Sequence, residues 1–352
     1  MINRSNWKLV KKYLKYRKEI DQVSRKTIGL EETWLRHTLE WLDERPIEKA
    51  PKIRPVFSEY VLSKKESKYS LEYLRKLVSA NKRFIEWVSI NKAGYRHKLS
   101  PAWIRTIKLP RMKEEEKIHE FVTFEEILEI SKAQIYSLRD RRIKSSAVLW
   151  FLSGIRIGAF VTLPIKAVNL ENLEIYQFPS LGVKTKLGKS ATTDLLNILV
   201  LLEVVKDWDS LVRSELPDTA LWFACLSPET GSFDKTIIEA GANRRSRAYK
   251  DLKTWLNKVG LPFHSPHKFR HGYAVFGIKH YTTLGQLKAL SQNLMHSNIS
   301  ITDGIYGMLS NDDKKKLLSD FDLNNSNSSN DINKKLDEVL NLLKQNTPIN
   351  SG

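Results

Sequence analysis

Residues 264–280 read HSPHKFRHGYAVFGIKH, and the rest of the chain is read outward from them. Ser265 followed by Pro266 has the form of a helix start, with Ser as N-cap and Pro at the first helical position. His267 and Arg270 then fall in the first turn, three apart on one face. At such an end the backbone N–H groups lack intrahelical acceptors and the helix dipole is positive, which suits an anion such as a phosphate. An ordinary surface helix start with polar residues fits the same segment. Zinc held by His264, His267 and His271 is a third reading, and the absence of Cys or acidic company speaks against it.

Upstream, residues 145–164 read SSAVLWFLSGIRIGAFVTLP. Gly154 ends a helical run, and Arg156 sits just past the break in very apolar surroundings. A charge there requires a partner, either a structural carboxylate or a ligand. Between the two segments the pattern shortens to LEIYQF, GVKTK and SATTD over residues 173–194, separated by Gly and Ser. This predicts a small antiparallel sheet with a hairpin tip at Leu187-Gly188. Helix is expected again from about Leu195, and from Asn243 to Val259, where Gly260 and Pro262 stop it. Downstream, residues 294–306, LMHSNISITDGIY, supply His296 and, ten residues on, Tyr306. With twelve tyrosines in the chain, position alone does not make one of them a nucleophile.

Thr123, with Glu126 three residues later and apolar residues behind, predicts a capping box that opens a second domain. Ahead of it, GLEETWLRHTLEWLDE (29–44) places Leu30, Trp34, Thr38 and Trp41 at near-helical intervals. In the stretch 70–88, Leu71, Leu74, Val78, Ile85 and Val88 keep the same period. IKLPRMKEEEK, with Pro110 and a charge run, is the expected linker. The chain therefore divides into a helical domain over residues 1–112, a mostly helical domain with one small sheet over 113–322, and a tail over 323–352. In that tail the polar tract DLNNSNSSND precedes a short helix whose stripe Ile332, Leu336, Val339, Leu340 and Leu343 requires a partner surface.

The formal charge of the 352-residue chain is +18, and the first 112 residues carry 27 Lys+Arg against 12 Asp+Glu. Such a field draws a polyanion through counterion release, so nucleic acid is the expected partner. A membrane is not, because no apolar run is long enough to span one and no basic tract lies beside an isolated apolar face. The segment MINRSNWKLVKKYLKYRKEI is charged throughout without an apolar core, so no secretory signal is expected and cytoplasmic work on DNA is. Cys225 is the single cysteine, which rules out an internal disulfide or a thiolate zinc cage. Lys82 and Arg83 in the first domain, and Arg244, Arg245, Arg247 and Lys250 in ANRRSRAYK, are the candidate backbone grips. For ANRRSRAYK a solvated helix face is the alternative.

The order Arg, hairpin Lys, His-x-x-Arg, His, Tyr is what resembles the tyrosine recombinase family. SGIRIGA is similar to its T-G-hydrophobic-R block, TKLGKSAT to its hairpin lysine block, HKFRHGYA to H-x-L-R-H-x-x-A, and LMHSNISITDGIY to L-G-H-x-x-hydrophobic-x-x-T-x-x-x-Y. The resemblance spans about residues 118–310 and implies a two-domain C-shaped clamp, mainly α with a small antiparallel sheet. It implies Arg156 and Arg270 on a scissile phosphate, Lys186 as general acid with Lys184 as rival, His267 as general base, His296 as a donor and Tyr306 as nucleophile. It further implies double-stranded DNA as partner, four subunits on it, a 3′-phosphotyrosine intermediate, and neither metal nor cofactor nor ATP. Ala159 stands where the family usually has Glu, Met295 where it has Gly, and Gly272 where it has Ser or Thr. Relaxation of the type IB topoisomerase kind, or DNA binding without catalysis, are the alternatives.

Overall fold

The computed structural model describes residues 2–64, 69–109, 120–237, 239–281 and 283–296. Tyr306, the polar tract and the C-terminal stripe lie outside the described residues, as does the linker from Pro110 to Lys117. The chain divides into two compact units, Met1–Lys117 and Ile118–Gly352.

The first unit is helical: α1 (Arg4–Glu19), α2 (Arg25–Leu42), α3 (Phe57–Ser63), α4 (Leu71–Asn91), α5 (Tyr95–Lys98) and α6 (Pro101–Thr106). Asn3, Ser24, Ser70 and Ser100 cap α1, α2, α4 and α6 by accepting from backbone N–H groups of the first turn. The apolar face of α4 is as its period predicts, with Leu74, Val78, Ile85 and Val88 buried beside Leu77 and Phe84. On α2 the expected Thr38 and Trp41 are buried, and the leucines beside them are buried in place of Leu30 and Trp34. Leu35, Thr38, Leu39, Trp41 and Leu42 are inside, and Leu30 is half exposed. The helix starts four residues earlier than read, and the Leu35–Leu39–Leu42 row offers more aliphatic area than Leu30–Trp34. Glu31, buried on that face, is held by both Arg17 (2.9 Å) and Arg83 (3.2 Å). A buried carboxylate persists only with such company.

The second unit runs α7 (Phe124–Lys132), α8 (Leu138–Ser153), α9 (Ile157–Phe160), β1 (Val168–Asn169), β2 (Glu174–Gln177), β3 (Ala191–Asp194), α10 (Leu199–Glu215), α11 (Arg244–Lys258), α12 (Pro266–His280) and α13 (Leu284–Asn293). Thr123 and Glu126 make both bonds of the predicted capping box. Helix α8 is buried on every side from Arg142 to Ser153, which is why its sequence shows no clean amphipathic stripe. Helices α7, α10, α11 and α12 pack around it, and Trp150, Phe160, Trp222 and Phe269 fill the core between them.

The sheet is antiparallel in the order β1-β2-β3, with Glu174 opposite Asp194 and Gln177 opposite Ala191. Val168–Asn169 joins as a strand that the pattern did not signal. GVKTK, read as strand, is a loop: Val183 is buried and the Lys184 N–H donates to Thr162 Oγ1 (2.8 Å). The tip is where expected. Leu187 (φ 60°) and Gly188 (φ 66°) are both left-handed and form a tight turn, though within the long connection between Gln177 and Ala191 rather than directly between paired strand residues. Residues 195–198 continue extended, so α10 starts at Leu199 rather than Leu195.

Candidate active site

Three helix ends build the site. The first is the C-terminus of α8. Gly154 adopts a left-handed φ of 61°, and a Cβ there would run into Tyr273 and Leu294. Only glycine reverses the chain in that space, and it leaves its carbonyl facing Arg270, whose Nη1 donates to it at 2.5 Å. Arg156 follows two residues later as the residue before α9.

The second end is the start of α12. Pro266 opens the helix and Ser265 precedes it, but the Ser265 side chain makes no capping bond. Val122 N–H donates to the carbonyl of Lys268 in the first turn (3.2 Å), laying residues 120–123 along the helix. The Val122 carbonyl in turn lies where a side chain at 272 would begin. Gly272 thus replaces the usual Ser or Thr because the neighbouring backbone occupies that volume. Arg270 is 3% exposed. His267, on the open side of the same turn, sets its ring edge-on to His271 at 4.5 Å.

The third end is the C-terminus of α13. Met295 N–H donates to the Gln292 carbonyl (2.7 Å) and His296 N–H to that of Ser291 (3.1 Å), the paired bonds of a Schellman cap with Met295 as its left-handed residue (φ 52°). This conformation is why glycine is usual there, and Met295 carries the strain. Met295→Gly is expected to stabilise the protein by about 1 kcal/mol, a rise of about 2–4 °C in the thermal midpoint; an unchanged or lower midpoint contradicts this account. The cap aims the Leu294 carbonyl at Arg270 Nη2 (2.5 Å) and brings His296 Nε2 to 3.1 Å from the same nitrogen.

Arg270 is therefore fixed by two carbonyls from two different helix ends. Burial, then the charges of Arg270, Arg156, His267 and Lys186, pull the pKa of His296 down to about 4. His267 is also lowered, first by desolvation of the ring against its neighbours and then by Arg270, Arg156 and Lys268. Both rings are accordingly neutral near neutral pH, and a neutral imidazole has one nitrogen able to accept a proton. Arg156, Arg270, His267 and Lys186 thus all lie within electrostatic reach of His296, and Arg156 and Arg270 within reach of His267. Lys186, exposed just before Leu187 and Gly188, is one of the charges acting on His296, and Lys184 has its backbone tied to Thr162.

The other candidates divide. The Arg245 guanidinium lies against Gly158, two residues beyond Arg156, in the space a Cβ would fill. Arg244 turns inward instead, donating to the Phe223 carbonyl and covering the Phe223 ring at 4.7 Å. With Arg139, Arg142, Arg247 and Cys225 it lines a cavity of about 270 Å³. Lys250 is exposed. In the first unit Arg83 is bound to Glu31 and, with Arg75 and Lys76, lines a groove of about 440 Å³ between α2 and α4; Lys82 is half-buried. His264, once weighed as a zinc ligand, bonds Glu126 at 2.9 Å. Among the described residues no group of three His, Cys, Asp or Glu is arranged to hold a metal, and no helix is long and apolar enough to cross a membrane.

Two contributors escaped the sequence reading. Thr162 accepts from Lys184 N–H and donates to the Ala159 carbonyl (2.9 Å), and Asn293 grips Asp194 beside the site.

In sequence and in fold the chain resembles the tyrosine recombinase/integrase family. A "Tyrosine recombinase XerC-like" protein of Caldanaerobacter subterraneus subsp. tengcongensis is 26% identical over 234 residues, covering 60% of this chain and 56% of the relative. The chain thus matches little more than half of that relative's length. Among solved structures, the Tn1549 transposon integrase in complex with a circular intermediate DNA superposes with a TM-score of 0.58 at 14% identity, covering 91% of this chain and all of that one. The XerH site-specific recombinase bound to difH gives a TM-score of 0.56 at 15% identity, covering 89% and 84%. No protein-family model matches the chain.

Proposed function

We propose that the chain is a site-specific DNA recombinase of the integrase kind, cleaving and rejoining DNA through a covalent 3′-phosphotyrosine. The observation that supports this is the meeting of Arg270 on α12 with His296 past α13 at 3.1 Å, where the charges of Arg156, His267 and Lys186 also reach the His296 ring. Attack on a phosphodiester puts negative charge on the non-bridging oxygens, and two guanidiniums meet it with planar, always-charged donors. Arg270 is suited to this because its orientation is fixed before substrate arrives. Tyr306 Oη forms the new bond to phosphorus as the bond to the 5′ oxygen breaks. The phenol's proton passes to neutral His267, and the Lys186 ammonium gives its proton to the departing 5′ oxygen. His296 donates to the phosphate. Rejoining runs the same steps backwards with a 5′ hydroxyl from another strand, so the energy of the broken bond is kept in the phosphotyrosine and no ATP is required.

On this reading residues 1–112 hold the DNA beside the cleavage point, with Lys82 and Arg83 on that surface, and Arg245, Arg247 and Lys250 grip backbone from the catalytic domain over 113–322. Arg244 is left out of that grip because its guanidinium faces Phe223. The tail over 323–352 joins neighbouring subunits of a tetramer on DNA. The test is to trap the protein on a nicked suicide duplex, digest it and sequence the peptide attached to DNA. The expected peptide contains Tyr306; no adduct, or one through another residue, overturns the assignment.

A further inference from the structure

The Lys186 amine must reach a leaving oxygen to about hydrogen-bond distance, yet it stands exposed near the tip of a hairpin. What fixes it has to act at the hairpin's base. One foot is the Lys184 N–H on Thr162 Oγ1 (2.8 Å), which ties the incoming loop to the segment that begins at Arg156. The other foot is Asn293. Its Oδ1 accepts from Asp194 N–H (2.7 Å) and its Nδ2 donates to the Asp194 carbonyl (2.8 Å), so one side-chain amide pairs with the last residue of β3 as a neighbouring strand would. β3 is an edge strand, and its outer groups would otherwise lack this partner. Nδ2 also donates to Tyr273 Oη (2.6 Å), and Tyr273 is three residues past Arg270 on α12. Asn293 is buried and immediately precedes Leu294, whose carbonyl holds Arg270.

We propose, resting on the recombinase reading above, that Asn293 is a positioning residue for proton delivery: it locks the Lys186 hairpin in register with the Leu294 carbonyl, Arg270 and His296. An aliphatic side chain at 293 would fill the helix end equally well, but it would leave the hairpin's second foot unattached. The predicted defect is then specific. It falls on the step that needs an acid and not on the steps served by Arg156, Arg270 or the nucleophile.

That specificity is measurable by changing the leaving atom. When sulfur replaces the bridging 5′ oxygen, the P–S bond breaks to give a thiolate, whose conjugate thiol has a pKa of about 8.5, and no proton has to be delivered. Single-turnover cleavage by the full chain is compared on the ordinary and the 5′-sulfur duplex for the unaltered protein, Lys186→Ala and Asn293→Ala. Both variants are expected to lose on the order of 10²-fold on oxygen and to recover to within about threefold of the unaltered protein on sulfur. Equal slowing of Asn293→Ala on both duplexes makes it a structural residue only and overturns the proposal. So does failure of sulfur to rescue Lys186→Ala. If the unaltered protein forms no adduct on either duplex, it is the recombinase reading that falls. Should Asn293→Ala not fold, Thr162→Ala, which cuts the other foot, decides by the same comparison: an oxygen-specific loss supports mooring at the base, and a uniform or absent loss overturns it.

Discussion

Tyr306→Phe is expected to leave duplex binding within about twofold and to reduce covalent protein–DNA adducts by more than about 10⁴-fold, below detection. The phenylalanine ring keeps the size and apolar character of the tyrosine ring. Only the oxygen proposed to bond phosphorus is lost. On the proposed reading, binding rests on charges elsewhere, chiefly those of the basic first 112 residues, and these are untouched. The readouts are a gel shift for binding and a denaturing gel for the adduct. Tyr273 is the informative control, since it is the tyrosine that the fold places nearest Arg270 in sequence. It is 3% exposed and accepts a hydrogen bond from Asn293. Burial pushes its pKa up to about 12, away from easy ionisation. Tyr273→Phe should therefore keep forming adducts. Adducts that persist in Tyr306→Phe and vanish in Tyr273→Phe would reverse the assignment.

The parts of this site that were legible in the sequence are those whose chemistry is carried by residue type at a fixed local spacing. His267 and Arg270 announce themselves by Pro266 and a three-residue interval, and the hairpin tip by Leu187-Gly188 between short β runs. Arg156 was visible as a charge in apolar surroundings. What stayed hidden depends on long-range approach. Nothing local says that Gly154 must offer its carbonyl to a guanidinium 116 positions later, or that a Val122 carbonyl empties position 272 of its side chain. Asn293 pairs with a strand 99 positions earlier, and its helix alone gives no hint of that. Arg244 failed for the converse reason. In ANRRSRAYK it is indistinguishable from its basic neighbours, and only the packing of α11 against Phe223 turns it inward. On α2 the sequence reading was right at Thr38 and Trp41 and missed that Leu35, Leu39 and Leu42 take the buried positions that Leu30 and Trp34 were expected to fill.

Arg244 has a buried neighbour whose removal should have the largest effect on stability in the second unit. Arg142 Nη2 meets Asp251 Oδ2 at 2.6 Å, joining α8 to α11, and the two residues are 2% and 5% exposed. Arg142 also donates to the Ala224 carbonyl and covers the Phe223 ring at 4.1 Å, so Arg142 and Arg244 share one aromatic platform. Burial lowers the Arg142 pKa to about 10, Asp251 opposes that shift, and the charge of Arg244 adds to it. In Asp251→Ala the desolvation and the repulsion between guanidiniums remain while the largest opposing charge is gone. Breaking a buried pair in this one-sided way is expected to destabilise the unit by about 3–5 kcal/mol, read from the shift in its urea midpoint. Removing both charges together, Arg142→Leu with Asp251→Leu, leaves no unpaired ion behind. That double variant is expected to recover most of the loss, remaining about 1–2 kcal/mol below the unaltered protein for the unsatisfied Ala224 carbonyl. A double variant as unstable as Asp251→Ala would mean that the pair itself, not the stranded cation, holds α11 in place. Because α11 also carries Arg245 to Gly158 beside Arg156, Asp251→Ala should lose cleavage activity at urea concentrations where the double variant still cleaves.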